Sequence, residues 1–503
     1  MAAPFLLTIL LALPFLFAPV IYLAGRVSLR MGRSAAPARW LAILAVGLTW
    51  IPLIMLAPVV SQTGAVDLLI GGISLRMDGV SLLLEGAVLA LGTLVLVFSV
   101  PYMHGSAGEE KYYALLPAMI GTIIGLSCAN DLFNLWVWFE AMAVSSYLLV
   151  AFYHEQPASL EAGVKYLVQS AVGSGLVLMG VALAFAHAGS LRLDEIARSG
   201  YSLPVLTAGA LFLVGYGVKT ALVPMHTWLP DAHAQAPSGI SAMLSGVVIE
   251  AGLVAMLRAL GSLPGGPAGP AVWGWLLLTF GALNLLIGNL MALRQTQVKR
   301  MLAYSSLAHM GYMLVGFGVS AGYHISDAAA GGFFHLFNHA MMKGLAFLSA
   351  GVLLYGLHMA KGDHSPLVVD DLNGAAQRYP LTALALSVAL LALGGLPPLA
   401  GFMSKWQIFA SGAITQNPGV ILLVVFAALN SVLSLGYYAP LVNRLYRKVP
   451  SPAVQAGAKS SVLMNLPLVM LTLVVVVFGF WPVLATPITD LAAQSLMHLF
   501  GGN

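Results

Sequence analysis

LFLVGYGVKTALVPMHTWLPDAHAQAPSGISAMLSGVVIE, residues 211–250, places Lys219 inside one apolar run and Glu250 inside the next, with a turn rich in Pro, His and Asp between them. A lysine left at hydrocarbon depth costs about 2.5–3.5 kcal/mol even on the forgiving insertion scale, so it faces a protein interior or a water-filled cavity. Pro224, Pro230 and Pro237 break or end helices around it, and broken helices at membrane depth are tolerated where they line such a cavity. The stretch therefore points to ion handling inside a membrane.

The rest of the composition agrees. Of 503 residues 59% are hydrophobic and 8% are charged, against about 25% charged in an ordinary soluble domain. This is the composition of an all-α polytopic membrane protein. Cys128 is the sole cysteine, so the chain holds neither a disulfide nor a four-cysteine iron–sulfur cluster. No GxGxxG fingerprint, Walker A loop or HExxH occurs. Redox or nucleotide chemistry is accordingly expected on another polypeptide, with no cofactor and no metal in this chain. The first apolar run, from Pro4 to Gly25, lacks a basic leader and is long enough to span. It reads as a retained helix.

Runs of about 20 apolar residues, the length a membrane crossing needs, fall near 4–24, 40–60, 80–100, 113–129, 132–152, 163–187, 204–224, 236–260, 270–293, 301–320, 328–355, 381–410, 419–443 and 462–484. That gives fourteen expected spans in one membrane domain, 1–503. Only Asn130 and Asp131 separate the fourth from the fifth, and GGLPPLAG interrupts the twelfth. The odd-numbered loops and the span ends beside them carry fifteen Lys and Arg residues, the even-numbered loops only Arg76, Arg192, Arg198 and Arg258. Those fifteen, these four and the three lysines inside spans account for all twenty-two. The bias puts the odd loops in the cytoplasm and both termini on the outer face. Residues 61–79, with Gly71 and Gly72, read as a small extramembrane hairpin, and the tail after Ala485 as a weakly amphipathic segment at the interface.

Six charged side chains fall inside spans: Glu85, Glu140, Lys219, Glu250, Lys343 and Lys405. At about 3 kcal/mol each, leaving all six in lipid costs on the order of 15–20 kcal/mol, so they are paired, hydrated or neutralised. Burial disfavours the charged form, and groups tuned that way exchange protons near neutral pH. Glu140 lies well inside the fifth span with Ser145 and Ser146 nearby, and reads either as a relay member or as a hydrogen-bonded structural glutamate. Glu85, near the start of its span, has snorkelling to the interface as its rival use. His335, His339 and Lys343 recur every four residues and so form one polar stripe on a helix. Histidines pass protons near neutral pH; metal binding is the rival use, but no third acidic or cysteine ligand sits on that helix. Lys405 follows the break in LGGLPPLAGFMSKW much as Lys219 adjoins its own, the mark an internal repeat would leave. Lys299 and Arg300 read as positive-inside anchors at a cytoplasmic mouth. His309, inside the tenth span, reads either as a bridge between two halves or as a core histidine.

Four motifs in order, LPDAHAQAP, KRMLAYSSLAHMGY, FNHAMMKGLAFL and GGLPPLAGFMSKW, resemble the antiporter-like subunits shared by respiratory complex I (NADH:quinone oxidoreductase), Mrp-type cation/proton antiporters and group 4 membrane-bound hydrogenases. The resemblance covers about residues 70–445. It implies N-terminal helices 1–3 (1–111), two inverted five-helix repeats (112–260 and 270–445), a last helix and tail (462–503), and broken helices 7 and 12. It makes Glu140 and Lys219 a charge-switch pair coupled to a neighbouring subunit, His335 and His339 the central histidines, and Lys405 the terminal lysine. With Glu250, His309 and Lys343 these are the expected proton relay. Where the family usually carries a lysine on the eighth helix, this chain has Glu250. No long lateral helix follows the fourteenth run, as in the medium-length subunits.

The expected function is thus a proton-translocating translocase subunit of a redox-driven complex, among other and homologous membrane subunits, in the inner membrane of a bacterium or archaeon and without nucleic acid. A subunit of an Mrp-type Na⁺/H⁺ antiporter and a non-pumping scaffold are the alternatives.

Overall fold

Proline, glycine and capping side chains set the ends of long apolar helices in the computed structural model, which describes residues 2–264, 269, 271–363 and 365–501. Pro270, where the ninth run begins, and the last two residues of the expected domain lie outside the described residues. Helices α1 (Ala2–Arg30) and α2 (Ala36–Thr63) lead into an antiparallel hairpin of β1 (Ala65–Ile70) and β2 (Ile73–Asp78). Its two-residue turn needs positive φ twice, and Gly71 and Gly72 supply it at 55° and 89°. The expected hairpin is there. Asp78 ends β2 and caps α3 (Gly79–Tyr102), its carboxylate accepting from Ser81 N at 3.0 Å.

Asp131 does the same for α5 (Leu132–Val150), accepting from Asn134 N at 2.6 Å, and so separates it from α4 (Glu109–Cys128). After α6 (Pro157–Ala188) and the short α7 (Leu193–Ala197) come the pieces of the opening stretch: α8 (Leu203–Lys219), α9 (Trp228–Gln235), α10 (Ser238–Met243), a π-helical turn (Leu244–Val248) and α11 (Ile249–Gly261). The chain continues through α12 (Ala271–Ala292), α13 (Val298–Tyr323), α14 (Ser326–Leu357), α15 (Pro380–Gly394), α16 (Ala400–Ile414), α17 (Pro418–Leu445), α18 (Pro452–Gln455), α19 (Val462–Phe480) and α20 (Thr486–Leu499).

Among the described residues, eleven helices are long and apolar enough to cross a membrane, with α8 and α15 as shorter apolar helices. The 26-residue α13 is outside the eleven, with Ser305, Ser306 and His309 among its apolar residues. Every residue of 238–261 is buried, as is nearly all of α13 and α14, so these helices form the centre. Large apolar side chains are exposed on α1, α2, α5, α6, α17 and α19, including Leu16, Ile54, Val137, Val172, Leu422 and Leu473, which marks these helices as the lipid- and partner-facing belt.

Two expectations need correction. Glu85 does not snorkel: it is 0% exposed, held by Ser127 and Cys128. The tail does not lie free at an interface either. α20 buries Thr489, Ala492, Ala493 and Leu496, and its Leu491 carbonyl packs so tightly on Gly79 that a Cβ there would sit 2.4 Å away. A weak amphipathic pattern does not distinguish a lipid surface from a protein groove.

Candidate functional site

Both interruptions in the helices are built from the same parts. α8 ends at Lys219, and the next eight residues leave the helix, with Ala221 at φ 57°. Side chains pair some of the backbone groups freed there: Asn284 on α12 accepts from Val223 N at 2.8 Å and donates to Ala221 O at 3.2 Å, and the Trp228 indole donates to Val218 O at 2.7 Å. At the second break α15 ends at Gly394 and α16 begins at Ala400. Here Lys405 donates to Leu393 O at 2.8 Å and to Ser431 Oγ at 2.9 Å, while Asn338 donates to Ala400 O at 3.1 Å. Irregular backbone at this depth is stable only when its amides and carbonyls are satisfied in this way. Each break also sets an ammonium group at a helix C-terminus, where the helix dipole favours positive charge.

Lys219 is 1% exposed. Its Nζ donates to Tyr166 Oη at 2.6 Å and lies 4.4 Å from the Tyr166 ring centre and 5.8 Å from that of Phe139. Tyr166 in turn stacks on Trp228 at 3.9 Å and 5°. The lysine thus rests in an aromatic cage, where cation–π attraction partly replaces lost hydration. The expected Glu140–Lys219 pair is not joined by an ion pair or hydrogen bond among the described residues, although Glu140 acts on Lys219 electrostatically. Glu140 is half-buried with Oε1 buried and without a hydrogen-bond partner among the described residues. It shares a helix face with the exposed Phe133, Val137, Val144 and Leu148.

The centre is a row of side chains in direct contact. Glu250 Oε1 lies 2.7 Å from His339 Nδ1. The His339 ring is 5.2 Å from that of His309, which stacks on His335 at 5.2 Å and 11°. His309 Nδ1 is 3.0 Å from His335 Nε2, and His335 Nδ1 is 2.9 Å from Ser404 Oγ. Ser404 precedes Lys405, whose Nζ sits 4.4 Å from the centre of the Tyr312 ring. His309, left open between bridge and core in the sequence, lies between His339 and His335. Each imidazole has one nitrogen able to take a proton and one able to give it; His309 and His335 are joined by a hydrogen bond, whereas His339 meets His309 only ring to ring, and its Nε2 has no hydrogen-bond partner among the described residues. Lys343 does not touch the histidines by hydrogen bonds; it donates to Leu302 O at 2.8 Å and to Ser305, which meets Tyr438. All of Glu250, His335, His339 and Lys343 are 0% exposed.

The π turn immediately before Glu250 widens the helix by one residue per turn, a feature common at functional sites. There Ser245 Oγ meets Ser306 Oγ of α13 at 2.6 Å. Among the described residues no group of three or more His, Cys, Asp or Glu is arranged to hold a metal ion.

Several participants were not singled out from sequence. Tyr166, Tyr312 and Ser404 carry no signal by themselves, because an aromatic or a serine in an apolar helix is ordinary. His233 had one, a histidine within LPDAHAQAP: it is 0% exposed, stacks on Phe347 at 4.8 Å, and neither ring nitrogen has a partner among the described residues. Lys299 is not the surface anchor expected; it is 5% exposed and reaches Ala236 O at 2.5 Å, whereas Arg300 pairs with Asp231, which also pairs with Lys165 at 3.0 Å.

Residues 129–434 match the family described as NADH:quinone oxidoreductase/Mrp antiporter, membrane region. The chain is 35% identical over 421 residues to F(420)H(2) dehydrogenase subunit N of Methanosarcina mazei, covering 81% of each. It is 36% identical over 364 residues to NADH-quinone oxidoreductase subunit N of Trichlorobacter lovleyi, covering 71% of each. A chain of the membrane-bound sulfane sulfur reductase, an archaeal respiratory membrane complex, superposes with a TM-score of 0.86 at 26% identity, covering 98% of this chain and 99% of that one.

Proposed function

The chain belongs to the NADH:quinone oxidoreductase/Mrp antiporter membrane family, and from that premise we propose that it is a proton-translocating membrane subunit of a redox-driven complex. The observation that carries this reading is the buried cluster of two hydrogen-bonded segments, Glu250–His339 and His309–His335–Ser404, brought ring to ring at His339 and His309 next to two helix breaks that each hold a lysine. Protons move along it between Lys219 and Lys405. Glu140, on an otherwise apolar exposed face, couples the row to a neighbouring membrane subunit, since a carboxyl there is too costly to leave against lipid. The relatives named above are subunits of dehydrogenase and quinone oxidoreductase enzymes, and this chain is placed in a complex of that kind beside other membrane subunits, with redox cofactors carried elsewhere.

The topology goes with the function. The eleven apolar helices, α13 and the two broken units α8/α9 and α15/α16 make fourteen crossings, with residues 112–260 and 270–445 as inverted five-helix repeats. Both termini lie on the outer face of a bacterial or archaeal inner membrane, as the loop charge bias directs. The carboxyl at 250 is read as a working member of the row on the strength of its 2.7 Å hydrogen bond with His339. This favours a transporting subunit over a scaffold.

Affinity purification of the tagged chain in mild detergent, followed by mass spectrometry, tests the assignment. Co-purifying iron–sulfur, nickel-site or quinone-site subunits support it; only small hydrophobic subunits overturn it in favour of secondary Na⁺/H⁺ antiport.

A further inference from the structure

A second buried carboxyl lies off the row, beneath a polar vestibule. The β1–β2 hairpin, α7, the end of α11 and α20 enclose a cavity of about 480 Å³ lined by Asp67, Arg76, Arg192, Asp194, Arg198 and His498, on the end of the molecule that the charge bias assigns to the outside. Its floor is the ion pair Arg258–Asp78, Nη2 to Oδ1 2.8 Å, with side chains 2% and 6% exposed. Beneath the floor is Glu85, six residues and about 9 Å of helix rise in from Gly79. Ser127 Oγ donates to Glu85 Oε1 at 2.8 Å and Cys128 Sγ at 3.0 Å, while Oε2 is buried with no hydrogen-bond partner among the described residues.

Ser81 and Ser127 tie floor and carboxyl together. Ser81 Oγ receives from Arg258 Nη2 at 3.0 Å, meets Asp78 Oδ1 at 3.1 Å and donates to the Ser127 carbonyl at 2.8 Å. A backbone carbonyl accepts but cannot hand on a proton, so no proton wire crosses from Glu85 to the vestibule while the ion pair is closed. On its inner side, α3 packs through an apolar contact against the helices that carry the row: Leu91 Cδ2 lies 2.6 Å from where a Cβ on Gly246 would sit, with Ala340 O at 3.1 Å from the same point. Gly246 is in the π turn before Glu250, and Ala340 follows His339. The charged and titratable groups facing Glu85 are Asp78, Arg258 and Cys128.

We propose that Glu85 is a proton-carrying site of an outer-face branch, gated by the Asp78–Arg258 ion pair. When the pair parts, vestibule water reaches Glu85 and exchanges a proton with it, the carboxylic acid giving hydronium and carboxylate and the carboxylate taking the proton back in the reverse step. Closing the pair breaks the wire again. This branch is separate from the Lys405 end of the row, and it rests on the reading of the chain as a proton translocator.

The sole cysteine of the chain reports on the gate. Right-side-out vesicles containing the intact complex are treated with a membrane-impermeant cationic methanethiosulfonate, and Cys128 modification is read by mass spectrometry of this chain. Cys128 should react slowly from outside in the wild type and at least about tenfold faster in Arg258→Gln, where the buried pair is broken; Arg258→Lys should stay near wild type. Equal outside rates in wild type and Arg258→Gln, or modification from the inner side alone, overturn the gate. Glu85→Gln keeps the acceptor for Ser127 and Cys128 but carries no proton. It should cut proton translocation in the assembled complex, and Glu85→Asp should restore most of it. Full translocation in Glu85→Gln, with Lys219→Ala inactive in parallel, overturns this inference alone; full translocation in both overturns the translocator reading. Should Arg258→Gln fail to assemble, the Glu85 pair of variants decides.

Discussion

Replacing Glu250 separates a working acid from a lesion. Gln at 250 preserves volume and the acceptor atom that lies 2.7 Å from His339 Nδ1, so the row stays packed. The change then removes only charge and proton. A hydrogen bond to a charged group contributes about 1.5–3 kcal/mol against about 0.5–1.5 for a neutral one, so the stability loss should be about 1 kcal/mol. Transport should fall far more, at least about tenfold, the equivalent of about 1.4 kcal/mol at the barrier. Lys at 250, the residue the family resemblance leads one to expect, should do worse. It sets a second ammonium in the neighbourhood of Lys343, whose charge already acts on His339, and like charges in a poorly solvated interior repel. It also strips His339 of its carboxyl partner. The assay is proton uptake by the purified complex in proteoliposomes with a pH-sensitive dye, electron transfer being followed in parallel. Transport in Glu250→Lys equal to or above wild type would refute the reasoning and make the carboxyl at 250 an impairment.

The aromatic cage and the helix contacts give further expected outcomes. Tyr166→Phe removes the hydroxyl 2.6 Å from Lys219 Nζ while keeping the stack on Trp228; transport should drop by about three- to tenfold, the effect of about 1 kcal/mol, with normal assembly on native gels. Ser404→Ala leaves His335 Nδ1 without its neighbour at 2.9 Å. It should slow transport while Lys405→Ala abolishes it, both read by the same dye assay. Gly401→Ala puts a Cβ 1.9 Å from Ala392 O across the second break; overpacking of this kind costs about 1–3 kcal/mol or more, and detergent-solubilised protein should melt at a lower temperature. Gly79→Ala should undock α20 and expose it to limited proteolysis, because its Cβ would meet Leu491 O.

Hydropathy made the helices and both breaks legible in sequence, because twenty apolar residues and a proline cluster act locally. The Gly71–Gly72 turn was legible for the same reason: positive φ at two adjacent residues is a local demand. The stripe of His335, His339 and Lys343 followed from helical period alone. Which helix each polar face meets was not written locally. Lys343 turns to Ser305 rather than to the histidines, Lys219 rests on Tyr166 rather than on Glu140, and Lys299 is buried against the α9–α10 junction. Those choices depend on tertiary neighbours that a periodic pattern cannot identify. Glu85 and the tail were misread on the same ground: a charge near a helix end and a weakly amphipathic segment suit an interface, but Cys128 and Ser127 in one case and α3 in the other offered protein partners instead.

The most direct test of the central claim is proton translocation by the assembled complex carrying Lys219→Ala, normalised to electron transfer and to the amount of this chain in the vesicles. The buried row predicts that translocation falls at least about tenfold while the complex still assembles. Wild-type translocation in that variant would contradict the claim that protons pass through these side chains.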